Sequence, residues 1–184
     1  MCGQACIYGT IFLMKTAVTD TSSAILLFKA GLFETLCECY NVVIAEAVYE
    51  EMIVAGHPGA AYFREACRHL RKAPEPSAAQ RIRQRDTALG RLDRGERDTV
   101  ILYRGGGGDF VIIDDYKGAV YCRNHSIPYI NALLFPRLLY ITERLSYAEY
   151  FVSTETLIRH GRYARKIIRY AMTCDLNALC FFLP

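Results

Sequence analysis

Short runs of apolar residues alternate with longer segments of helical periodicity along most of the chain. A short, wholly apolar run is typical of a strand that a sheet buries on both faces. Strands are therefore predicted at Ile11–Met14 continuing into Ala17–Val18, at Val42–Ile44, at Phe110–Ile113 and at Tyr129–Ile130. Polar residues interrupt the first of these runs, so its two halves are treated as one strand.

Segments with apolar residues at helical spacing separate these strands. Helices are predicted at Ile25–Leu36 with a break at Gly31, from Glu46 to near Gly56, at Ala60–Lys72, at Leu92–Tyr103 and at Lys117–His125. Alternating strands and helices favour parallel pairing with right-handed crossovers. The remaining pattern is helical to the end of the chain. The sequence thus predicts an α/β domain over residues 1–135 and a helical C-terminal extension over residues 136–184, packed on the same domain or on a partner.

Acidic residues follow the predicted strands. Asp20 ends the first strand, and the pair Asp114 and Asp115 ends a later one. Glu51 comes shortly after the second strand, and Glu96 lies in the first turn of a helix. Because an open parallel sheet binds ligands beyond the carboxyl ends of its strands, we expect these side chains on one rim.

Ionised carboxylates that share a small space repel one another unless a cation lies between them. Ligation by oxygen alone selects a hard ion, Mg²⁺ or Mn²⁺, rather than zinc. Such an ion lowers the pKa of a bound water and stabilises in-line attack on a phosphate. The acids therefore predict a metal-dependent enzyme that hydrolyses phosphodiester bonds.

Several of these acids also have an ordinary structural interpretation. Asp20 opens the sequence Asp-Thr-Ser-Ser, which is well suited to capping a helix. Glu96 in a first turn complements the helix dipole. Glu46 and Glu50 are interpreted as part of a solvated helix face. The adjacent acidic pair after the later strand favours a functional role, because two neighbouring carboxylates repel each other without a partner.

Four blocks of sequence together resemble the PIN-domain family and are most similar to its prokaryotic VapC-like toxin branch. The blocks are T-D-T-S-S at 19–23, V-V-I-A-E-A-V-Y-E-E-M at 42–52, L-D-R-G-E at 92–96 and V-I-I-D-D at 111–115. Their order and spacing match the family over residues 9–135. The resemblance implies a three-layer α/β/α sandwich around a central, mainly parallel sheet.

The resemblance also implies roles for individual acids. Asp20 matches the first metal-binding acid of the family, and Glu51 matches the second acid, which lies on a helix. Glu96 falls where many members have Asp. Asp114 and Asp115 both fall on the last acidic position, and the sequence leaves open which of them faces the metal. All five are candidates for catalysis, and all except Glu51 are candidates for metal binding.

By the same resemblance, the function is that of an endoribonuclease dependent on Mg²⁺ or Mn²⁺, which hydrolyses RNA through a metal-activated water. The resemblance further implies the toxin of a type II toxin–antitoxin module, which forms a homodimer and is inhibited by a small antitoxin. Ser22 matches the small hydroxyl residue often found beside the first acid.

The chain departs from the family in three places. Ala119 stands where a basic residue is expected after the last acids, and Lys117 is a candidate to replace it. The segment Gly105–Gly108 is unusually rich in glycine, and the C-terminal extension matches no known pattern. These departures motivate an alternative function, a catalytically weak PIN-like regulatory module that binds RNA or protein.

Charge is nearly balanced, with 22 Lys and Arg against 19 Asp and Glu, so the net charge neither requires nor excludes a nucleic-acid partner. Arg94 belongs to a basic stretch that is either a solvated helix face or a phosphate-binding rim beside the acids. We expect Ser22, Lys117 and Arg94 to contact the substrate or support the primary acids. A second basic run offers a docking face for RNA or for an acidic partner: Arg159, Arg162, Arg165, Lys166 and Arg169.

The eight cysteines lack the spacing of a zinc site or a redox pair, so buried free thiols in a reducing cytosol are expected. The start of the chain does not have the form of a signal peptide, and the apolar runs are too short to span a membrane. We therefore predict a cytoplasmic protein without a membrane partner. The apolar ending Ala178–Pro184 is expected to pack against the domain or a partner.

Overall fold

The computed structural model describes residues 14–65 and 70–184, and these form a five-stranded parallel sheet covered by helices. The strands are β1 (Thr16–Thr19), β2 (Asn41–Ala45), β3 (Arg71–Ala73), β4 (Phe110–Ile112) and β5 (Tyr129–Ile130). The predicted α/β fold with a parallel sheet is therefore confirmed. Of the first predicted strand, Ala17–Val18 lies in β1, Met14 precedes it, and Ile11–Leu13 lies outside the described residues.

Helices connect the strands and continue to the end of the chain. They are α1 (Thr21–Lys29), α2 (Phe33–Cys39), α3 (Glu46–Met52), α4 (Ala60–Glu65), α5 (Ala79–Arg85), α6 (Arg94–Leu102), α7 (Tyr116–Asn124), α8 (Leu134–Ile141), α9 (Tyr147–His160), α10 (Arg165–Thr173) and α11 (Leu176–Leu179). Gly31 separates α1 from α2 as predicted. Its φ of 70° lies in the left-handed region that glycine adopts without strain. The helix α5 was not predicted.

The strand β1 lies at the centre of the sheet, between β2 and β4, and the full order is β3-β2-β1-β4-β5. Val18 is in register with Val43 on one side and with Val111 on the other. The chain builds one half of the sheet from β1 outward and then returns to place β4 against the opposite edge of β1. The carboxyl ends of β1 and β4 therefore border the crevice in which doubly wound sheets bind ligands.

The prediction of a helix over Ala60–Lys72 is wrong at its C-terminal end. The helix α4 is described over Ala60–Glu65, residues 66–69 lie outside the described part, and Arg71–Ala73 pairs in parallel with Val43–Ala45 as the edge strand β3. Arg71 and Lys72 are exposed, so this strand has no apolar run that a sequence pattern could reveal. Charged side chains are common on edge strands because they discourage pairing with another chain.

The core lies in two layers on opposite faces of the sheet, and β4 contributes alternate residues to each. Phe110 and Ile112 pack into the cluster that includes α1, α2 and α8. Val111 packs with Ile101 of α6 and Tyr121 of α7 on the other face. Side chains along a strand point alternately to its two faces, so this apolar strand fills both layers. The predicted three-layer α/β/α arrangement is thus confirmed.

The glycine-rich segment ends α6 in a single wide turn at Tyr103–Gly107. Gly106 has a φ of 85°, which favours glycine over any residue with a side chain. A Cβ atom on Gly108 would lie 2.6 Å from Cγ2 of Val18. The segment therefore lets the chain turn and then pass close to β1 before entering β4.

The C-terminal helices share the core of the sheet. Leu157 of α9 is fully buried, and α9 packs against α1 and α8. The Tyr40 hydroxyl donates a hydrogen bond to the backbone carbonyl of Phe182, whose ring lies 5.2 Å from that of Phe110. Leu179 is buried near the end of the chain, whereas Phe181 remains half exposed. Much of the apolar ending thus packs onto the same molecule.

The expectation that the cysteine thiols are buried is met only in part. Cys39, Cys122 and Cys174 are buried. Cys180 is exposed, contrary to expectation, because the final turn directs Leu179 inward and leaves Cys180 facing solvent. Three more cysteines lie outside the described residues, namely Cys2, Cys6 and Cys67.

Candidate active site

Acidic side chains gather at the carboxyl ends of β1 and β4. Asp20 follows β1 directly, and its backbone N–H donates to the carbonyl of Ile112 at 3.1 Å, which continues the pairing of the two strands. Asp114 lies two residues beyond β4, and Asp115 caps the N-terminus of α7. The neighbouring strands therefore bring residues that are remote in sequence to the same crevice.

Asp20 is buried, with 3% of its surface exposed, and it caps α1. One carboxyl oxygen accepts from the Ser23 backbone N–H at 2.8 Å, and the other accepts from the Ser22 hydroxyl at 2.8 Å. Burial, reinforced by the nearby Asp114 carboxyl, raises the pKa of Asp20 to about 7. Asp20 therefore both caps α1 and belongs to the acid cluster, the group of acidic side chains at the ends of β1 and β4.

Asp114 is held from two sides. Its Oδ2 accepts from the Ala132 backbone N–H at 3.0 Å, and its Oδ1 accepts from the hydroxyl of Tyr163. Burial raises the pKa of Asp114, while these two donors and the adjacent Ser23 hydroxyl oppose the rise. Tyr163 lies between α9 and α10, so the C-terminal extension reaches into the acid cluster.

Glu96 is buried in the first turn of α6, with 6% of its surface exposed. Its Oε2 accepts from the Asp93 backbone N–H at 3.1 Å, whereas its buried Oε1 has no hydrogen-bond donor among the described residues. Burial, followed by contact with Asp115 and the charge of Asp20, raises the pKa of Glu96 to about 7. A Cβ atom on Gly118 would lie 3.3 Å from that unsatisfied oxygen, so glycine leaves room beside it.

Asp114 and Asp115 both belong to the cluster, but they face different acids. The Asp114 carboxyl helps to raise the pKa of Asp20, and the Asp115 carboxyl helps to raise the pKa of Glu96. Asp115 also accepts from the Lys117 backbone N–H at 2.8 Å. The two adjacent acids thus connect separate parts of one site.

Glu51 lies at the edge of this cluster on α3. Its Oε2 accepts from the Thr21 hydroxyl at 2.6 Å, next to Asp20 in sequence. A Cβ atom on Gly95 would lie 2.8 Å from the same oxygen, next to Glu96 in sequence. The five predicted acids therefore share one rim, with Glu51 at its margin.

The remaining predicted residues lie around the acids. Ser22 donates its hydroxyl to Asp20, as described above. Arg94 pairs with Glu50 at 2.8 Å, and both side chains are largely exposed. The Lys117 ammonium lies 3.8 Å from Asp93 and is likewise exposed. These two cations flank the rim, where acids of the same surface partly neutralise them.

Three residues of the site were not predicted: Thr21, Ser23 and Tyr163. The hydroxyls of Thr21 and Ser23 stand beside a predicted acid, so the same sequence block contained them. Tyr163 is separated from Asp114 by 49 positions, and no local pattern links the two residues. Its role depends on the path of the C-terminal helices.

The chemistry of the cluster fits a divalent cation. Its donors are carboxylate oxygens, one of which is buried without a donor, and two of its carboxyls have pKa values raised to about 7. Burial is the main cause of these raised values and the neighbouring carboxyls add to it, and a bound cation would offset both effects. Among residues 14–65 and 70–184, however, no three His, Cys, Asp or Glu side chains already stand in the arrangement of a metal site.

A parallel sheet of this strand order, with acids at the ends of β1 and β4, defines an α/β protein with an acidic site at the switch point. The family model described as a PIN domain matches residues 16–135. The chain belongs to the PIN-domain family, whose members are generally nucleases. Comparison with curated proteins and with solved structures gave no match. No helix in the described part of the chain is both long and apolar enough to cross a membrane.

Proposed function

We propose that this protein is a divalent-metal-dependent endoribonuclease whose active site is the acid cluster at the ends of β1 and β4. The observation that carries the proposal is the convergence of Asp20, Glu96, Asp114 and Asp115, with the pKa of both Asp20 and Glu96 raised to about 7. Carboxylates crowded to this degree are more often functional than structural. The nuclease activity general to the family supports the same conclusion.

In this proposal Asp20, Glu96, Asp114 and Asp115 hold Mg²⁺ or Mn²⁺. The bound ion would lower the pKa of a water and stabilise charge on the phosphate under attack. The Ser22 hydroxyl and Ser23 N–H hold the Asp20 carboxyl in one orientation. Thr21 does the same for Glu51, which stands at the margin and is suited to orient a water or substrate.

The exposed cations beside the rim have a separate role in the proposal. A metal-free acidic site repels RNA, so the enzyme needs positive charge nearby to hold the phosphate backbone. Lys117 follows the last acids by two positions and is exposed, which suits it to replace the basic residue absent at Ala119. Arg94 can leave Glu50 for a phosphate because the pair is exposed and hence weak.

The test is cleavage of a labelled single-stranded RNA in the presence of Mg²⁺ or Mn²⁺ by the wild type, Asp20→Asn and Asp115→Asn. Asn still caps a helix, so Asp20→Asn keeps the fold while removing the charge. Glu46→Gln is the matched control, because Glu46 is exposed on α3 and lies outside the cluster. We expect cleavage by the wild type and the control, and none by the other two. Equal cleavage by all four would remove these acids from the mechanism.

A second function has one observation in its favour. Both oxygens of Asp114 already accept hydrogen bonds from the protein, from Ala132 and Tyr163. A site closed in this way suits a regulatory module that binds RNA or protein and cuts weakly. Calorimetric titration of Mn²⁺ separates the two functions: binding that disappears in Asp20→Asn supports the enzyme, and absence of binding supports the module.

We further propose, from the resemblance to VapC-like toxins, that the protein is a cytoplasmic homodimer held inactive by a small antitoxin. The buried thiols Cys39, Cys122 and Cys174 suit a reducing compartment. A short overlapping reading frame beside the gene, together with growth arrest on expression of the wild type and not of Asp20→Asn, would support the toxin role. Normal growth on expression of the wild type would oppose it.

A further inference from the structure

A cleft with a volume of about 400 Å³ lies between α7, β5 and the C-terminal extension. Asp114 and Asp115 form part of its wall, so the cleft is continuous with the acid cluster. Its volume falls in the range of pockets that bind small molecules and single residues of larger ligands. The extension supplies Tyr163 and the start of α10 to this wall and so closes one side of the cleft.

Three cations line the cleft: Arg123, Arg162 and Lys166. Each is exposed, and within the described residues none makes a side-chain hydrogen bond or an ion pair. Arg94 and Lys117 differ, because each lies near an acid. Unneutralised cations beside a set of carboxylates would attract the phosphates of a polyanion.

Only part of the basic run at residues 159–169 contributes to this surface. Arg162 precedes α10, whereas Arg165, Lys166 and Arg169 lie within it, so the predicted docking face does not form on one helix. Lys166, in the first turn of α10, faces the cleft together with Arg162, whereas Arg165 and Arg169 are exposed elsewhere. The fold thus separates two cations at the cleft from two that are outside it.

Aromatic rings accompany the cations. Tyr116 follows Asp115 directly, lines the cleft and has 78% of its surface exposed. Tyr129 and Tyr163 line the cleft as well. A tyrosine ring left bare beside cations is the arrangement on which single-stranded nucleic acids stack their bases.

We propose that this cleft binds the nucleotide next to the cleaved phosphate of a single-stranded RNA. Arg123, Arg162 and Lys166 contact the flanking phosphates, and the Tyr116 ring stacks on the base. The proposal rests on the proposed function, because the acid cluster defines where the cleaved phosphate lies. An acidic protein segment would also gain from the cations, but a bare ring next to them matches the alternation of phosphate and base along a single strand, so RNA fits the surface better.

The first test measures RNA binding without cleavage. A fluorescent single-stranded RNA of mixed sequence is titrated with protein in EDTA, and anisotropy reports binding. The double variant Arg162→Ala/Lys166→Ala is compared with Arg165→Ala/Arg169→Ala, which removes the same charge from the same segment. We expect the first variant to bind roughly tenfold more weakly than the wild type, and the second to bind nearly as the wild type does. For the first variant, the plot of the logarithm of the binding constant against the logarithm of the salt concentration should be shallower by about 1.4.

The second test addresses stacking. Tyr116→Ala should weaken binding at least about fivefold, whereas Tyr116→Phe, which keeps the ring, should bind as the wild type does. Both substitutions are at an exposed position, so neither threatens the fold. Equal binding by the Ala and Phe variants would show that the ring does not stack on a base.

These measurements separate the cleft from the catalytic proposal. If the wild type cuts RNA and both double variants bind it equally, the cleft assignment is overturned and the nuclease stands. If the wild type never cuts RNA but the cleft variants alone lose binding, the nuclease fails, and the cleft remains an RNA-binding surface with no cleaved phosphate beside it. Absence of any RNA binding by the wild type overturns the cleft assignment as well.

Discussion

The Tyr163 hydroxyl donates a hydrogen bond to the Asp114 carboxylate, which joins the C-terminal extension to the acid cluster. Tyr163 is mostly buried and its phenol has a strongly raised pKa, caused first by burial and then by the charge of Asp114. The phenol therefore remains a donor across the physiological range. The bond ties one oxygen of Asp114 to a segment outside the family match at residues 16–135.

Replacing Tyr163 with Phe removes this donor from a half-buried carboxylate. We expect the free energy of unfolding to fall by about 2 kcal/mol, because hydrogen bonds to charged groups contribute roughly that much. Denaturation by urea measures the change. Tyr147→Phe is the control, because Tyr147 is 65% exposed and its hydroxyl makes no hydrogen bond within residues 14–65 and 70–184. Equal stability of the two variants would contradict the prediction.

The stability of the metal-free protein should fall as the pH rises toward neutrality. Asp20 and Glu96 have pKa values of about 7 in the folded protein, above the ordinary values of 3.8 and 4.5. The folded state therefore holds protons that the unfolded state has lost. This stabilisation is complete below the ordinary values and disappears as the pH passes through 7.

Denaturation in EDTA at about pH 5.5 and about pH 8 tests this, and we expect the protein to lose about 2 kcal/mol per carboxyl between them. In Asp20→Asn one of the two titrations is absent, so the loss should be smaller. Stability that rises between the two pH values would contradict the assignment of raised pKa values.

Divalent ions should restore the stability that the metal-free protein loses as the pH rises. At about pH 8 the ionised acids repel one another, and an ion bound only by the folded state adds about 2.7 kcal/mol at a concentration of one hundred times its Kd. The melting temperature with Mn²⁺ should therefore rise in the wild type at this pH. Glu96→Gln should show little rise, and Glu50→Gln should behave as the wild type. A rise of the same size in all three proteins would place ion binding elsewhere.

A side chain at Gly118 should lower the stability of the protein. A Cβ atom there would lie 2.2 Å from Cδ1 of Ile113, which is fully buried, and 3.3 Å from the unsatisfied oxygen of Glu96. Although Ala is favoured over Gly in helices, we expect Gly118→Ala to lose about 1–3 kcal/mol through overpacking. Gly90→Ala is the control, since no atom lies within 4 Å of a Cβ atom at that position. Thermal denaturation distinguishes the two.

The sequence could predict that Asp20, Glu96, Asp114 and Asp115 lie close together, because each one follows an apolar strand or opens a helix. The pair Asp114 and Asp115 stands directly after a wholly apolar run, and strand alternation then placed it near Asp20. The edge strand β3 could not be predicted, because Arg71 and Lys72 are exposed and carry no apolar signal. Its pairing depends on the free edge of β2, which no local pattern describes.

Local sequence patterns could not predict the cleft beside the acids either. The basic run at residues 159–169 was visible, but which of its members face the acids depends on how α9 and α10 pack. Arg162 and Lys166 reach the cleft because the chain bends between these helices. The sequence placed them in one basic run with Arg165 and Arg169, which are exposed outside the cleft.

The burial of Leu157 against the core of the sheet has a practical consequence for anyone who wishes to shorten this protein. Cutting after the family match would strip α9 from α1, whose first residues follow Asp20. The apolar surface so uncovered would favour aggregation, and the helix that orients Asp20 would lose its support. A shortened version of this chain must therefore keep its last helices.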